Sequence, residues 1–375
     1  MPEVYIVSDN IISPIGSTTD ENFSRLTKDI SGVQLHDDKK LSAERFYASL
    51  FEKEGPSKKE NATYTSFEQL LIASISEALQ KSGLDAADKK TVLIISSTKG
   101  NIDLLETQTF DPALQKRIAM HVSAKLVAEH FGFSNQPLVV SNACISGLLG
   151  ILTAKRLIES GQYENAVIAG ADIISRFVLS GFQSFQAISP EPCQPFDKDR
   201  KGINLGEGAA TVILSSNKKY AGAIKVKGGS VSNDANHISA PSRTGKELGF
   251  IISKAIADSG LSTNDIDFIS AHGTATSYND EMEAKAITIA GLSSVPTHSL
   301  KGYYGHTLGA AGLIESIISI KSLQENIVLP SKGFETIDPG MNIYVNNTIL
   351  QMPLKNCLKT ASGFGGCNAA IVFSK

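Results

Sequence analysis

The 375-residue sequence has no run of 18 or more uninterrupted apolar residues, so it offers no helix of membrane-spanning length. It also lacks a strong charge of either sign. Lys and Arg number 35 against 38 for Asp and Glu, and a net charge of −3 gives no general affinity for nucleic acid. Cysteines are few: Cys144, Cys193, Cys357 and Cys367 form no C-x-x-C pair and have no histidine partner at zinc spacing. Neither a disulfide framework nor a metal centre is therefore expected. The opening MPEVYIV has no charged stretch and no long apolar core of the kind a secretory signal needs, so a cytoplasmic protein with reduced thiols is the expectation. Disorder is excluded by a composition that is 42% apolar and 19% charged. The 31 glycines follow no G-X-Y period, which excludes a collagen-like chain.

What the chain does have is an internal echo. ISEALQKSGL at residues 75–84 and ISKAIADSGL at 252–261 agree at six of ten positions. Both have helical apolar spacing, end in Ser-Gly-Leu with Gly83 and Gly260 as helix stops, and precede a strand-like run, TVLIISS or IDFISA. CISGLLG from Cys144 answers HTLGAAG from His306, and GEGAATVIL from Gly206 answers GCNAAIVF from Gly366, in the same order. Three ordered matches predict a duplicated α/β chain with halves at about 1–215 and 216–375 and one site between them.

The two halves carry different chemistry at one equivalent place. Cys144 falls at a strand-to-helix turn, where unpaired helix amides would stabilise a thiolate and lower its pKa. A lone cysteine is more often an inert core thiol. His306 occupies the matching turn, where the helix field favours neutral imidazole and its N–H could donate to an oxyanion; a capping or core histidine competes evenly with that role. His272 ends the strand FISA, with Thr274 and Thr276 in the loop that follows and Asp280 expected to cap the next helix beside Glu283. In SGFGG, residues Gly363 to Gly366 form a tight strand entry or, alternatively, a source of backbone N–H donors. For the threonines, a local turn role competes with ligand contact.

Five motifs in order, NACISG, QPFDKDRKGINLGEGAA, AHGTATSYND, KGYYGHTLGAAG and GFGGCNAA, resemble the β-ketoacyl-acyl-carrier-protein synthases of the elongating Cys-His-His type. With ISPIG at residues 12–16, the resemblance covers almost the whole chain. It implies the thiolase fold, two αβαβα halves in five layers. It also implies catalytic Cys144, His272 and His306, with Lys301 and Glu315 as a charged pair behind the histidines. Cys144 would carry the acyl group, and the two histidines would stabilise the enolate formed when a malonyl thioester loses carbon dioxide. Backbone N–H groups of Cys144 and Phe364 would form an oxyanion hole, with Phe364 also gating the acyl pocket. Thr274, Thr276 and Gly365 would touch the substrate arm. No separate cofactor is implied, because the substrates ride on the phosphopantetheine of acyl carrier protein.

Carrier docking is expected at Lys116, Arg117, Lys198, Arg200 and Lys201, with solvated surface charge as the plain alternative. The resemblance implies a homodimer, or a heterodimer with a related ketosynthase or chain length factor. Departures from the family pattern are Ile145 after the cysteine, Gly302 after the lysine, and shortened stretches between Gly100 and Ala119 and after Leu214. They open the alternatives of a specialised polyene or aryl polyene synthase, or of a partner subunit that shapes chain length with little activity of its own. A thiolase, an initiating synthase and a cysteine hydrolase match the motifs less well.

Overall fold

The computed structural model describes residues 1–52, 63–236 and 238–375. Its centre is a ten-stranded sheet built twice over. The first half supplies β1 (Tyr5–Ile12), β2 (Thr91–Ser96), β3 (Leu138–Val140), β4 (Asn165–Asp172) and β5 (Gly208–Ser215). The second supplies β6 (Lys225–Asn233), β7 (Phe268–Ser270), β8 (Thr297–His298), β9 (Asn356–Gly363) and β10 (Cys367–Ser374). The spatial order is β8-β7-β9-β10-β6-β1-β5-β4-β2-β3.

Read outward from the centre, the two halves repeat each other. In each, the first strand pairs antiparallel with the fifth and the fifth antiparallel with the fourth; the fourth then pairs parallel with the second and the second parallel with the third. The halves join where β1 meets β6 antiparallel, Tyr5 opposite Lys225. Parallel strands covered on both faces need unbroken apolar runs, and TVLIIS and NAVIAGAD are buried throughout.

The helices fill the layers. Outside the first half, α1 (Ser66–Ser82) packs on β1, β4 and β5. A Thr65–Glu68 capping box starts it, and Gly83 at φ 61° stops it. Between the sheets, α2 (Ser146–Glu159) packs on α6 (Ala311–Glu325), and each touches strands of both halves. α3 (Arg176–Ser184) buries Val178 and Leu179 in a separate apolar cluster with Phe46, Ala48, Leu205 and Leu308. Outside the second half, α4 (Lys246–Asp258) covers β6 and β10 and packs on α5 (Ser277–Ile289). Helix, sheet, helix, sheet, helix: the five layers are present, and each echo seen in the sequence falls on a matched element. Among the described residues, no helix is long and apolar enough to cross a membrane.

The central crossing depends on missing side chains. A Cβ on Gly312 would lie 2.5 Å from the Leu148 amide nitrogen, and one on Gly147 would lie 2.7 Å from that of Leu313. Both neighbours are backbone, so neither can swing aside. Gly312→Val should therefore force α2 and α6 apart and destabilise by about 1–3 kcal/mol, as read by urea unfolding. Gly181→Ala, where a Cβ meets nothing within 4 Å, should be neutral or slightly stabilising in the same assay.

Candidate active site

Three loops at the carboxyl ends of parallel strands converge, the usual place for a ligand in an α/β sheet. Cys144 follows β3 and immediately precedes α2. Its neighbour Ala143 sits at φ 44°, a left-handed conformation costing about 1–3 kcal/mol for a residue with a Cβ. The Ser146 hydroxyl holds that turn, donating to the Ala143 carbonyl at 2.6 Å and accepting from the Asn142 amide at 2.8 Å. The matching residue before His306 is Gly305, at φ 65°, where a Cβ would lie 2.4 Å from the Leu205 carbonyl oxygen. A positive φ therefore precedes the reacting residue in both halves.

Cys144, His272 and His306 have their sulfur and ring nitrogens within 4.8 Å of one another. The two rings meet edge to face, centroids 5.3 Å apart. All three side chains are buried. They form the floor of a cavity of about 410 Å³, lined also by Thr274, Thr276, Phe364 and Asn368. The Thr274 and Thr276 hydroxyls bond each other at 2.8 Å.

Behind the histidines lies a buried charge cluster. Lys301 Nζ donates to Glu315 Oε1 at 2.7 Å and to the His272 carbonyl at 2.6 Å, and lies 3.3 Å from His272 Nδ1. An ammonium has only donors, so Nδ1 accepts and the ring proton sits on Nε2, facing the cavity. Burial holds both imidazoles well below the ordinary histidine value, and Lys301 and Lys359 push them the same way. Both rings are therefore neutral donors. Cys-His-His is also a zinc-binding chemistry, but these two buried ammonium groups oppose a divalent cation there.

Cys144 departs from the sequence-based expectation. Burial pushes its thiol up to about 12 and Cys367 adds to this, outweighing Lys301, Lys99 and a hydrogen bond from the Phe364 amide. The nucleophile therefore rests as a thiol, not as the thiolate expected from its place at a helix end. Asp280 and Glu283 also differ from expectation. Neither caps α5; Asp280 accepts from the amides of Phe196 and Thr274, and Glu283 from those of His272 and Gly273. They clamp the His272 loop to its helix.

Other expected residues divide. Lys301, Glu315 and Phe364 lie at the site. Gly365 does not line the cavity: its amide donates to the Ile238 carbonyl and its carbonyl accepts from Asn233, so the turn faces it away. Arg200 cannot offer a free docking charge, since its side chain is 3% exposed and bonds Asp338 at 2.7 Å. Arg117 is likewise committed, to the buried Glu68 carboxylate. Lys116, Lys198 and Lys201 remain on the surface, Lys201 paired with Glu191. Ile145 is core, and Gly302 is needed where the Lys332 carbonyl crosses, 2.5 Å from a Cβ position.

Three residues escaped sequence reasoning. Phe182 stacks on Phe364 at 5.7 Å and Phe185 meets it edge-on at 5.4 Å, closing one side of the cavity. Lys359 is fully buried and reaches Glu315 Oε2 at 2.6 Å. A single charge inside the otherwise uncharged strand NCLKTASG was the available signal for it.

This constellation, on this fold, defines a condensing enzyme of the thiolase fold. The chain belongs to the β-ketoacyl synthase family: the beta-ketoacyl synthase N-terminal domain model matches residues 1–220 and the C-terminal domain model residues 223–335. It is 29% identical over 414 aligned positions to the 3-oxoacyl-[acyl-carrier-protein] synthase 2 of Vibrio harveyi, covering 99% of this chain and 98% of that protein. It is 31% identical over 305 positions to nodulation protein E of Rhizobium meliloti (strain 1021), covering 78% of this chain and 73% of that protein. The solved ishigamide ketosynthase/chain length factor matches with a TM-score of 0.89 at 26% identity, over 100% of this chain and 99% of that one. An alignment of 414 positions on a chain of 375 means that the Vibrio protein carries segments absent here.

Because the resting thiol is raised, alkylation of Cys144 by iodoacetamide should keep accelerating from about pH 7 to about pH 10, followed by intact mass with Cys144→Ala as control. A rate that levels off below about pH 8 would show the helix end lowering the thiol after all.

Proposed function

We propose that the chain joins an acyl group held on Cys144 to malonyl-acyl-carrier protein, giving 3-oxoacyl-carrier protein in fatty-acid or polyene and polyketide chain elongation. The observation that carries this reading is the thiol and two neutral imidazoles within 4.8 Å at the floor of one cavity.

The Cys144 sulfur attacks the acyl thioester carbonyl, the carrier C–S bond breaks, and the thiol proton leaves with the carrier thiol. The amides of Cys144 and Phe364 stabilise the intermediate oxyanion. A malonyl thioester then loses carbon dioxide as the bond between its carboxylate and α-carbon breaks. That electron pair forms an enolate, whose oxygen accepts hydrogen bonds from His272 and His306. The enolate carbon attacks the acyl-enzyme carbonyl, a C–C bond forms, the C–S bond to Cys144 breaks, and the released thiolate takes up one proton from solvent. Lys301 and Glu315 keep the rings oriented and neutral, since a protonated imidazolium would bring desolvated charge against two ammonium groups.

Thr274 and Thr276, with hydroxyls on the cavity wall, contact the phosphopantetheine arm. Lys116, Lys198 and Lys201 are the surface cations left to meet an acidic carrier protein. Residues 1–215 and 216–375 act as the two halves, one supplying the nucleophile and the other the donors. The likeness to a ketosynthase/chain length factor structure supports a second reading of the assembly, a heterodimer in place of a homodimer. The full Cys-His-His set favours the catalytic subunit of such a pair over the silent one.

Incubation with acyl- and malonyl-carrier thioesters should give one acyl adduct by intact mass, absent in Cys144→Ala. An unmodified wild type across a broad acyl panel would overturn the reading. In His306→Ala, acylation should persist while condensation falls by about 10²-fold or more; normal condensation would remove His306 from its role.

A further inference from the structure

Lys359 touches none of the reacting atoms, yet it is the second fully buried cation at the site and helps to keep the imidazoles neutral. It lies within β9, in a strand otherwise made of uncharged residues, all buried except the last, Gly363. Its ammonium donates to three carbonyls, those of Thr360 at 2.7 Å, Ser270 at 3.1 Å and Ala271 at 3.3 Å, and forms an ion pair with Glu315 Oε2 at 2.6 Å. Ser270 and Ala271 are the two residues immediately before His272. Lys301 takes the next carbonyl, that of His272 itself, and the other Glu315 oxygen.

Two lysines thus hold three successive carbonyls of the segment ending at His272 and share one carboxylate. Burying an ammonium in a sheet is costly unless it is paired and hydrogen-bonded. A methionine of similar length would fill the same space without charge, so packing alone does not account for a lysine here. Glu315 is held in its charged form by both lysines, despite burial that pushes the other way.

We propose that Lys359 is a positioning residue for the condensation step, fixing the strand end that carries His272 and, through Glu315, the Lys301 ammonium that makes His272 Nδ1 an acceptor. The inference rests on the condensing reading for its consequence in rate, but its geometry can be tested without turnover. With both lysines the cluster Lys301–Glu315–Lys359 carries a net charge of +1; without Lys359 it is neutral. The titratable or charged groups facing the two histidines are Cys144, Lys301, Lys359, Glu315 and Glu283, with His298 beyond Lys359. Removing one cation from this set makes protonation of the imidazoles easier. The sign is therefore fixed: the histidine titrations, and the acid limb of condensation that follows them, must move to higher pH.

The experiment uses full-length protein labelled with ¹⁵N-histidine, comparing wild type with Lys359→Met, and with Lys359→Gln in case the first variant fails to fold. His272 signals are assigned with His272→Ala. In wild type, His272 should be the Nε2–H tautomer and stay neutral well below the ordinary histidine range, because burial and the nearby ammonium groups disfavour its cation. In either folded variant its titration should rise by about one pH unit or more, and the tautomer should become mixed. Condensation should fall by about tenfold or more with its acid limb shifted upward, while transfer of the acyl group to Cys144 continues. An unmoved tautomer and titration in a folded variant would overturn the proposal and leave the condensing reading intact. A shifted titration in a protein whose wild type never condenses would support the positioning role and overturn the reaction.

Discussion

Everything at the active site depends on how closely two central helices approach. The α2–α6 crossing brings backbone against backbone at Gly147 and Gly312; Cys144 lies just before α2, and a single 3-10 turn, Leu308–Ala310, joins His306 to α6. The distance between Cys144 and His306 is therefore set by the core of the molecule and not by flexible loops. Sheets on either side, joined at one strand pair, hold the crossing in place from both faces. His272 reaches the same point from a third strand end, and two carboxylates inside its own segment fasten it. A shift of this crossing by the width of a methyl group would separate nucleophile from donors before it disturbed either half alone.

The charges behind the site oppose protonation of the imidazoles and favour the enolate. A buried cluster with net positive charge disfavours imidazolium and favours an oxyanion in front of the rings. That single arrangement answers two needs of the proposed reaction, neutral donors and a stabilised anion, without a proton being stored on histidine. The same positive field pulls the Cys144 thiol down, though desolvation outweighs it in the resting pocket.

Much of this was legible in the sequence, for identifiable reasons. Helices and strands of the two halves repeat with recognisable residues because equivalent packing demands equivalent small and apolar side chains. Cys144, His272 and His306 could be singled out because glycines and strand ends bracket them. What the sequence concealed was partnership across long separations. Arg200 and Arg117 read as surface charges, but each finds a carboxylate more than forty residues away, Asp338 and Glu68. Asp280 and Glu283 read as helix caps and instead serve amides before their helix. Lys359 was passed over because its one local signal, a lone charge in an uncharged strand, does not reveal that its carboxylate lies on another element.

The three phenylalanines beside the nucleophile form one cluster. Phe364 rests against Phe182 and Phe185, and ring contacts of this kind are each worth about 0.5–1.5 kcal/mol beyond burial. Moving Phe364 would forfeit both contacts, about 1–3 kcal/mol together, so the two rings brace the residue whose amide faces the Cys144 sulfur.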